Sequence, residues 1–513
     1  MNPVKYTLIA IWSWLAVGLA WAQPYSVMPA VQPDTAVVKY RWSLSRQLSR
    51  DALPPSVDNS CSPYFPPIIS QKGGSCAQAS GIGYMFTYEM NRWLNRNASA
   101  TDANTFSYLF TWNFLNDGED VGGFVDQGLT IAIQYGVMTE ADYGYASAYQ
   151  FKWASGYDKY LRAMQYRGKR LLEFQLKTED DLLLVKQYLS QKNDGKTGGG
   201  ILTFSTMSTH WQINDHYDGP SLTGYHSLLT ALGNDGAHAL TIAGYDDTVT
   251  YTDDLGETHK GAFIVVNSWG DAFHDRARYY LPYYFFLHRG PGISESILSS
   301  TLTGVEARTH QPQLVMKIGL EYSSRNDLSF IYGASNTAES GYPEDRFSPP
   351  IMLNQGGDHA MGGAYGGEKE FEFAIDYTEH LQSAQELKPK YFLNIRRYER
   401  GNKTGEGKLT HFSLIDYRQG NTPVEYVCKE VGDRKLQLGD NLFSIATRPE
   451  LTVSANSIKW LSHDQINPDC TYVVRTANGK FAKLRFVGHD PKTGKVTIQY
   501  LYQPDGTRNL LTE

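Results

Sequence analysis

The stretch "QKGGSCAQASGIGYMFTYEMNR", residues 71–92, sets a single cysteine between a Gly-Gly-Ser turn and a long apolar run. The pattern predicts a helix from Ser75. Ala77, Ala79, Gly81 and Gly83 are small enough for close packing in its first turns, and Met85, Phe86, Met90 and Trp93 supply an apolar face. Cys76 therefore stands at a helix N-terminus, where the partial positive charge of the helix favours a thiolate. A thiol that is to act as a nucleophile needs such help, because an ordinary pKa of about 8.5 leaves it mostly protonated near neutrality.

Such a thiol also needs a base to take its proton and a polar group to hold that base. His238 opens the apolar run "HALTIAGY" after a Gly-containing loop, which puts a polar ring at the mouth of a strand. Asn267 closes a second apolar run, "GAFIVVNSW", where a buried amide is costly unless it is hydrogen bonded. Taken singly, a cysteine before an apolar run is a packing residue, a histidine is structural and an asparagine caps a turn. The three together, in the order Cys, His, Asn, favour chemistry.

At these residues the sequence resembles the papain-like (C1) cysteine peptidases, of a secreted bacterial type. "GGSCAQASG" is similar to the family's nucleophile segment, "GAHALTIAGYDD" to its His-Ala strand and "FIVVNSWGD" to its Asn-Ser-Trp-Gly strand. "GGFVDQGLTIAIQYGVMTEADYGY" resembles the segment that carries two substrate-binding glycines. The resemblance covers residues 53–298 and implies an α+β papain-like fold of two subdomains, one helical and one of strands. It implies Cys76 as nucleophile, His238 as general base and acid, Asn267 as the group orienting the imidazole, and Trp269 as a shield over their hydrogen bond. It also implies Gln71 as an oxyanion donor with the Cys76 N–H, and Gly122 and Gly123 as the lining of a substrate cleft. The chain departs from the family in several places. Five positions separate Gln71 from Cys76 where the family has six, Ala77 replaces the usual aromatic residue, and residues 23–52 leave no room for a long helical propeptide.

The rest of the chain bounds this reading. At 513 residues it exceeds the roughly 250–300 that one core holds, so two or three domains are expected. A net charge of −7 without a basic stripe argues against nucleic acid as a partner. Residues 1–22, with Lys5, an apolar run and Ala20-Trp21-Ala22, read as a signal peptide cleaved near Ala22, which implies a secreted, periplasmic or cell-surface protein. Residues 23–52 form a short pro-segment, and no later segment reads as a transmembrane span. Residues 300–430 alternate as in a jelly-roll-like β sandwich, with Leu314, Met316, Ile318, Leu320 and Tyr322 on one face and Phe371, Phe373, Ile375 and Tyr377 on another. Residues 435–513 read as a smaller β unit with the hairpin "RFVGHDPKTGKVTIQYLY".

Of the four cysteines, Cys428 and Cys470 are plausible disulfide partners, while Cys61 is either a free thiol, the favoured reading, or a partner that silences Cys76. The spacing of His210, His216 and His226 fits no zinc motif. "DGKTGGG" is a turn, because the first glycine of a phosphate loop would fall at Ser190. Neither a metal nor an organic cofactor is called for. The expected activity is hydrolysis of peptide bonds in peptide or protein substrates, with a glycan or cell-surface ligand as a further partner for the β domains. The alternative is a catalytically silent adhesin or carbohydrate-binding protein. An aminopeptidase or an acyl transferase would use the same residues.

Overall fold

The structure is a computed structural model that describes residues 39–41, 53–144, 150–192, 194–288, 297, 300–338, 340–352, 356–363, 368–381, 387–400, 405–418, 422–447, 471–475, 480–490 and 495–503. The signal peptide expected over residues 1–22 lies outside them, as does Cys470. The helix expected from Ser75 begins with an α turn at Cys76–Gln78, widens to a π-helix over Ala79–Phe86, and returns to α over Thr87–Leu94. Its small residues do admit close neighbours: a Cβ on Gly83 would stand 2.4 Å from Ile69 Cδ1. Every residue of the π segment is buried. Further helices span Tyr108–Leu115, Val125–Gln134 and Glu179–Ser190.

Ten strands form the larger sheet: β1 (Lys39–Arg41), β2 (Ser56–Asp58), β3 (Tyr166–Gln175), β4 (Leu202–Thr209), β5 (Gln212–Asn214), β6 (Leu228–Ala231), β7 (Asp235–Thr252), β8 (Thr258–Val266), β9 (Arg278–Pro282) and β10 (Thr301–Thr309). Their order is β1-β3-β10-β4-β7-β8-β9-β6-β5, and β2 pairs additionally with β7. The polar stretch between the two apolar runs prolongs both strands, through Thr250↔Lys260 to Thr252↔Thr258, leaving a short turn. Alternating threonine and tyrosine make this extension suitable for a strand.

Two smaller antiparallel sheets follow. One holds β11 (Leu314–Tyr322), β13 (Glu370–Asp376), β15 (Gly407–Asp416) and β16 (Val424–Val427); the other holds β12 (Leu328–Ser335), β14 (Lys390–Arg397) and β17 (Gly439–Ala446). They face each other through contacts such as Phe330 with Phe373, ring centroids 5.8 Å apart. The two apolar rows expected on separate faces share one, since β11 and β13 pair with Ile318 opposite Phe373 and Leu320 opposite Phe371, and directly opposed residues lie on the same side of a sheet. Two strands belong elsewhere than expected. β10 joins the larger sheet through β3 and β4, and β17 joins the second small sheet through β14. β18 (Thr471–Arg475), β19 (Phe481–Asp490) and β20 (Lys495–Gln503) form a last sheet that includes the expected hairpin.

One apolar core runs from the helices into the small sheets. Tyr160 packs edge-on against Phe371 at 6.1 Å, and the Tyr135 hydroxyl donates to the Ala374 carbonyl at 2.6 Å. Arg167 of β3 meets Asp376 of β13 at 2.5 Å, both buried.

Candidate active site

The antiparallel register Thr241↔Val266 sets the start of β7 beside the end of β8. That brings His238 and Asn267, 29 residues apart in sequence, into contact: Nε2 of the imidazole lies 2.8 Å from Asn267 Oδ1. The same oxygen accepts the Ser268 N–H at 2.7 Å. Exchanging the amide's O and N would set two N–H donors against each other there, so the oxygen faces the ring and Nε2 carries its hydrogen. Nδ1 is then the nitrogen with a free lone pair. Asn267 is wholly buried and is held by its main chain as well, its N–H donating to Ala277 O at 2.8 Å.

The first turn of the Cys76 helix packs against β7, fixed further along by a 2.8 Å bond between Ser80 Oγ and Thr241 Oγ1. Cys76 is half-buried, and the N–H of Ala239, the residue after His238, faces its sulfur. The expected lowering of the thiol pKa is reversed in this resting arrangement. Burial pushes the Cys76 thiol up, while the N–H groups of Ala239, Ala77 and Cys76 itself pull it back in part. Burial pushes His238 down, against the opposing hydrogen bond to Asn267. Both shifts favour the neutral forms, thiol at Cys76 and imidazole at His238.

Trp269 lies over the imidazole with ring centroids 4.6 Å apart and stays 39% exposed, so it covers one ring face while keeping an edge in solvent. Gln71 stands at this end of the molecule too. Its main-chain N–H donates to Ser268 O at 2.8 Å, and its Oε1 accepts from Ser268 Oγ at 2.6 Å. Its Nε2 donates one hydrogen to Gly73 O at 2.8 Å, which leaves the second for another acceptor. Gly122 is exposed and Gly123 half-buried; a Cβ on Gly74 would be 3.0 Å from the Gly122 nitrogen, so the glycine pair flanks the turn before Cys76.

Several residues at the site carried no sequence signal. Tyr84, on the π segment, accepts the Ile69 N–H at 2.8 Å and donates to Asn267 O at 2.9 Å, tying the helix, the approach to Gln71 and the Asn267 turn together. Tyr84→Phe strands two buried backbone groups, and a loss of about 1–3 kcal/mol is expected, read as a lower urea midpoint with unchanged slope. Gln78, fully buried, donates to Phe124 O at 3.0 Å and accepts from Thr111 Oγ1 at 2.9 Å, anchoring the glycine loop to the helix. Trp211 adds a second indole beside His238, centroids 5.8 Å apart. A tyrosine, a glutamine and a tryptophan with no motif around them offered nothing to find.

Cys61 is an exposed free thiol bonded to Asp58 Oδ2 at 3.2 Å, and Cys76 is free as well. Cys428 is buried and forms no disulfide among the described residues; its expected partner Cys470 lies outside them. His210 and His226 each meet a protein oxygen, Asn234 Oδ1 at 2.9 Å and Tyr217 O at 3.2 Å. Among the described residues, Asp253, Glu257 and His259 have potential metal-ligand atoms within 4.8 Å of one another at the β7–β8 turn. Asp253 is already bonded there to His259 and to the Leu255 and Glu257 N–H groups, each at 2.9 Å, which is the bonding of a turn. No helix among the described residues is long and apolar enough to cross a membrane.

No protein-family model and no curated relative matches the sequence. Among solved structures the chain is similar to xylellain, a cysteine protease from Xylella fastidiosa, at 18% identity and a TM-score of 0.34, over 54% of this chain and 94% of that one. It is similar to the proform of Amb a 11, a cysteine protease and major ragweed pollen allergen, at 16% identity and 0.32, over 49% and 65%. It is similar also to procathepsin B S9 from Trypanosoma congolense, at 14% identity and 0.35, over 55% and 86%.

Proposed function

We propose that this protein is an exported cysteine endopeptidase. The observation that carries the reading is the 2.8 Å bond between His238 Nε2 and Asn267 Oδ1 beside a half-buried Cys76 whose sulfur faces the Ala239 N–H. Cys76 Sγ attacks the peptide carbonyl as its proton passes to His238 Nδ1. The oxyanion takes N–H donation from Cys76 and the second hydrogen of Gln71 Nε2. His238 then hands the proton to the departing amine, and water, deprotonated by the same imidazole, hydrolyses the thioester. Trp269 keeps water from the His238–Asn267 bond, and Gly122 and Gly123 leave room for an extended substrate backbone. Export rests on residues 1–22.

The test is hydrolysis of a peptide blocked at both ends, followed against pH. An endopeptidase cleaves it, whereas an enzyme that needs a free amino terminus does not. Because burial holds the imidazole below its usual range, neutral His238 persists into mild acid, and the acid limb of kcat/KM is expected to have its midpoint under about 6.5. A midpoint above that value would contradict a buried neutral imidazole as the base.

A further inference from the structure

The loop that carries Gly122 and Gly123 touches the nucleophile turn on one side and the small sheets on the other. Toward the nucleophile, Asp120 Oδ1 accepts the Gly74 N–H at 2.7 Å, and it lies so close to Gly73 that a Cβ there would be 2.1 Å away. Trp112 Nε1 and Gln78 Nε2 hold the same loop at the Val121 and Phe124 carbonyls, both at 3.0 Å. Toward the sheets, Asp117 Oδ1 accepts the Gly357 N–H at 3.0 Å. A Cβ on Gly118 would meet Gly356 O at 2.6 Å and His359 Cδ2 at 2.8 Å, so the two loops are in direct backbone contact.

The 356–359 loop lies within the connection from β12 to β13 and is itself fixed. Arg325, 1% exposed, donates to Gly356 O at 2.8 Å, Met361 O at 3.3 Å and Phe151 O at 2.6 Å, with its guanidinium 4.0 Å above the Trp153 ring. The Arg325 N–H donates to His359 O at 2.8 Å, and the His359 ring stacks on Phe151 at 4.7 Å. Burying a guanidinium among carbonyls is costly; here it pulls the Arg325 pKa down to about 9. What that arrangement secures is a rigid shelf under Asp117.

We propose that the Gly356–His359 shelf of the small sheets positions the Gly73–Cys76 turn through Asp117 and Asp120, so that the β module is part of the cleft. Asp117 and Asp120 are positioning residues that act through the Gly74 N–H on the turn presenting Cys76 and its backbone donor. The role rests on the peptidase reading, while the mechanical link stands apart from it.

The test uses the full chain. Asp117 has φ +55°, a conformation glycine adopts freely, so Asp117→Gly removes the carboxylate without straining the backbone. Two quantities are read: amide hydrogen exchange over residues 73–76, and kcat and KM separately on the blocked peptide. In Asp117→Gly, exchange over the turn is expected to rise and kcat to fall, each about tenfold, the weight of one well-placed hydrogen bond. Asp117→Asn, which keeps an acceptor for Gly357, is expected to restore both. Asp120→Ala is expected to act in the same sense, and the double variant to be no worse than Asp120→Ala alone, since both cut one chain of contacts. Unchanged exchange at residues 73–76 in folded Asp117→Gly would overturn the proposal, as would additive effects in the double variant. If the wild-type protein cleaves no peptide, the exchange measurement still decides the link, and it is the peptidase reading that falls.

Discussion

Replacing Cys76 by alanine is expected to lower kcat/KM on a blocked peptide by about ten-thousand-fold or more while leaving the protein folded. The thioester cannot form without Sγ, and removing a nucleophile from a cooperating set typically removes nearly all of its catalysis, leaving what binding and oxyanion donors supply. The structural loss is small, because Cys76 is only half-buried and the neighbouring helix is held by Ser80 and Gln78, not by the thiol. His238→Ala is expected to fall nearly as far, and the double variant hardly further, since each single change already disables the pair. Intact-mass labelling with an epoxysuccinyl inhibitor gives the check independent of substrate choice. One adduct on wild-type protein, absent from Cys76→Ala and much slowed in His238→Ala, is expected. An adduct that persists in Cys76→Ala would locate the reactive thiol elsewhere, with exposed Cys61 the first to examine.

How much of this arrangement is legible in the sequence depends on the range over which each residue acts. Cys76 and Asn267 each sit at a local transition, from turn to helix and from strand to turn, and His238 begins an apolar run, so the surrounding pattern marks all three. The strand that carries His238 nevertheless starts earlier than expected, at Asp235, because the Gly-containing segment before it already pairs with β4. Tyr84 works through a carbonyl 183 positions away and Asp120 through an N–H 46 positions away. No periodicity encodes such contacts. The same limit governs the sheets. Alternation identifies β10 and β17 as strands, yet says nothing of which edge each will extend, and both join a sheet other than the one expected. The direction of the Cys76 shift is not encoded locally either, because a helix N-terminus can be read from residue order whereas the burial that outweighs it comes from elements the fold brings in, β7 among them.

The second large effect concerns how the small sheets are joined to the rest. Asp376→Ala is expected to cost about 3–5 kcal/mol, the usual consequence of leaving one charge of a buried pair without its partner. Asp376, at the end of β13, accepts from Arg167 at 2.5 Å and from His310 Nε2 at 2.6 Å, and its other oxygen takes the Thr378 N–H at 2.8 Å. Arg167 and His310 come from β3 and from the segment after β10, so the carboxylate bridges the larger sheet and the small ones. Glu379, half-exposed and 3.5 Å from Arg167, offers only partial compensation across solvent. Burial pushes the Asp376 carboxyl up, but the His310 hydrogen bond and the Arg167 charge outweigh it, and its pKa lies below the ordinary value. A depressed carboxyl stabilises the fold above its unfolded pKa of about 3.9 and loses that contribution as pH falls through the lower folded value. The wild-type advantage over Asp376→Ala is thus expected to be complete at neutral pH and to shrink only in strong acid. Because one apolar core continues through this junction, urea unfolding should remain a single transition at a lower midpoint. Two separated transitions in the variant, with the Cys76 region unaffected by the first, would mean that the sheets fold as an independent unit, and the mechanical link from Arg325 to the nucleophile turn would lose its foundation.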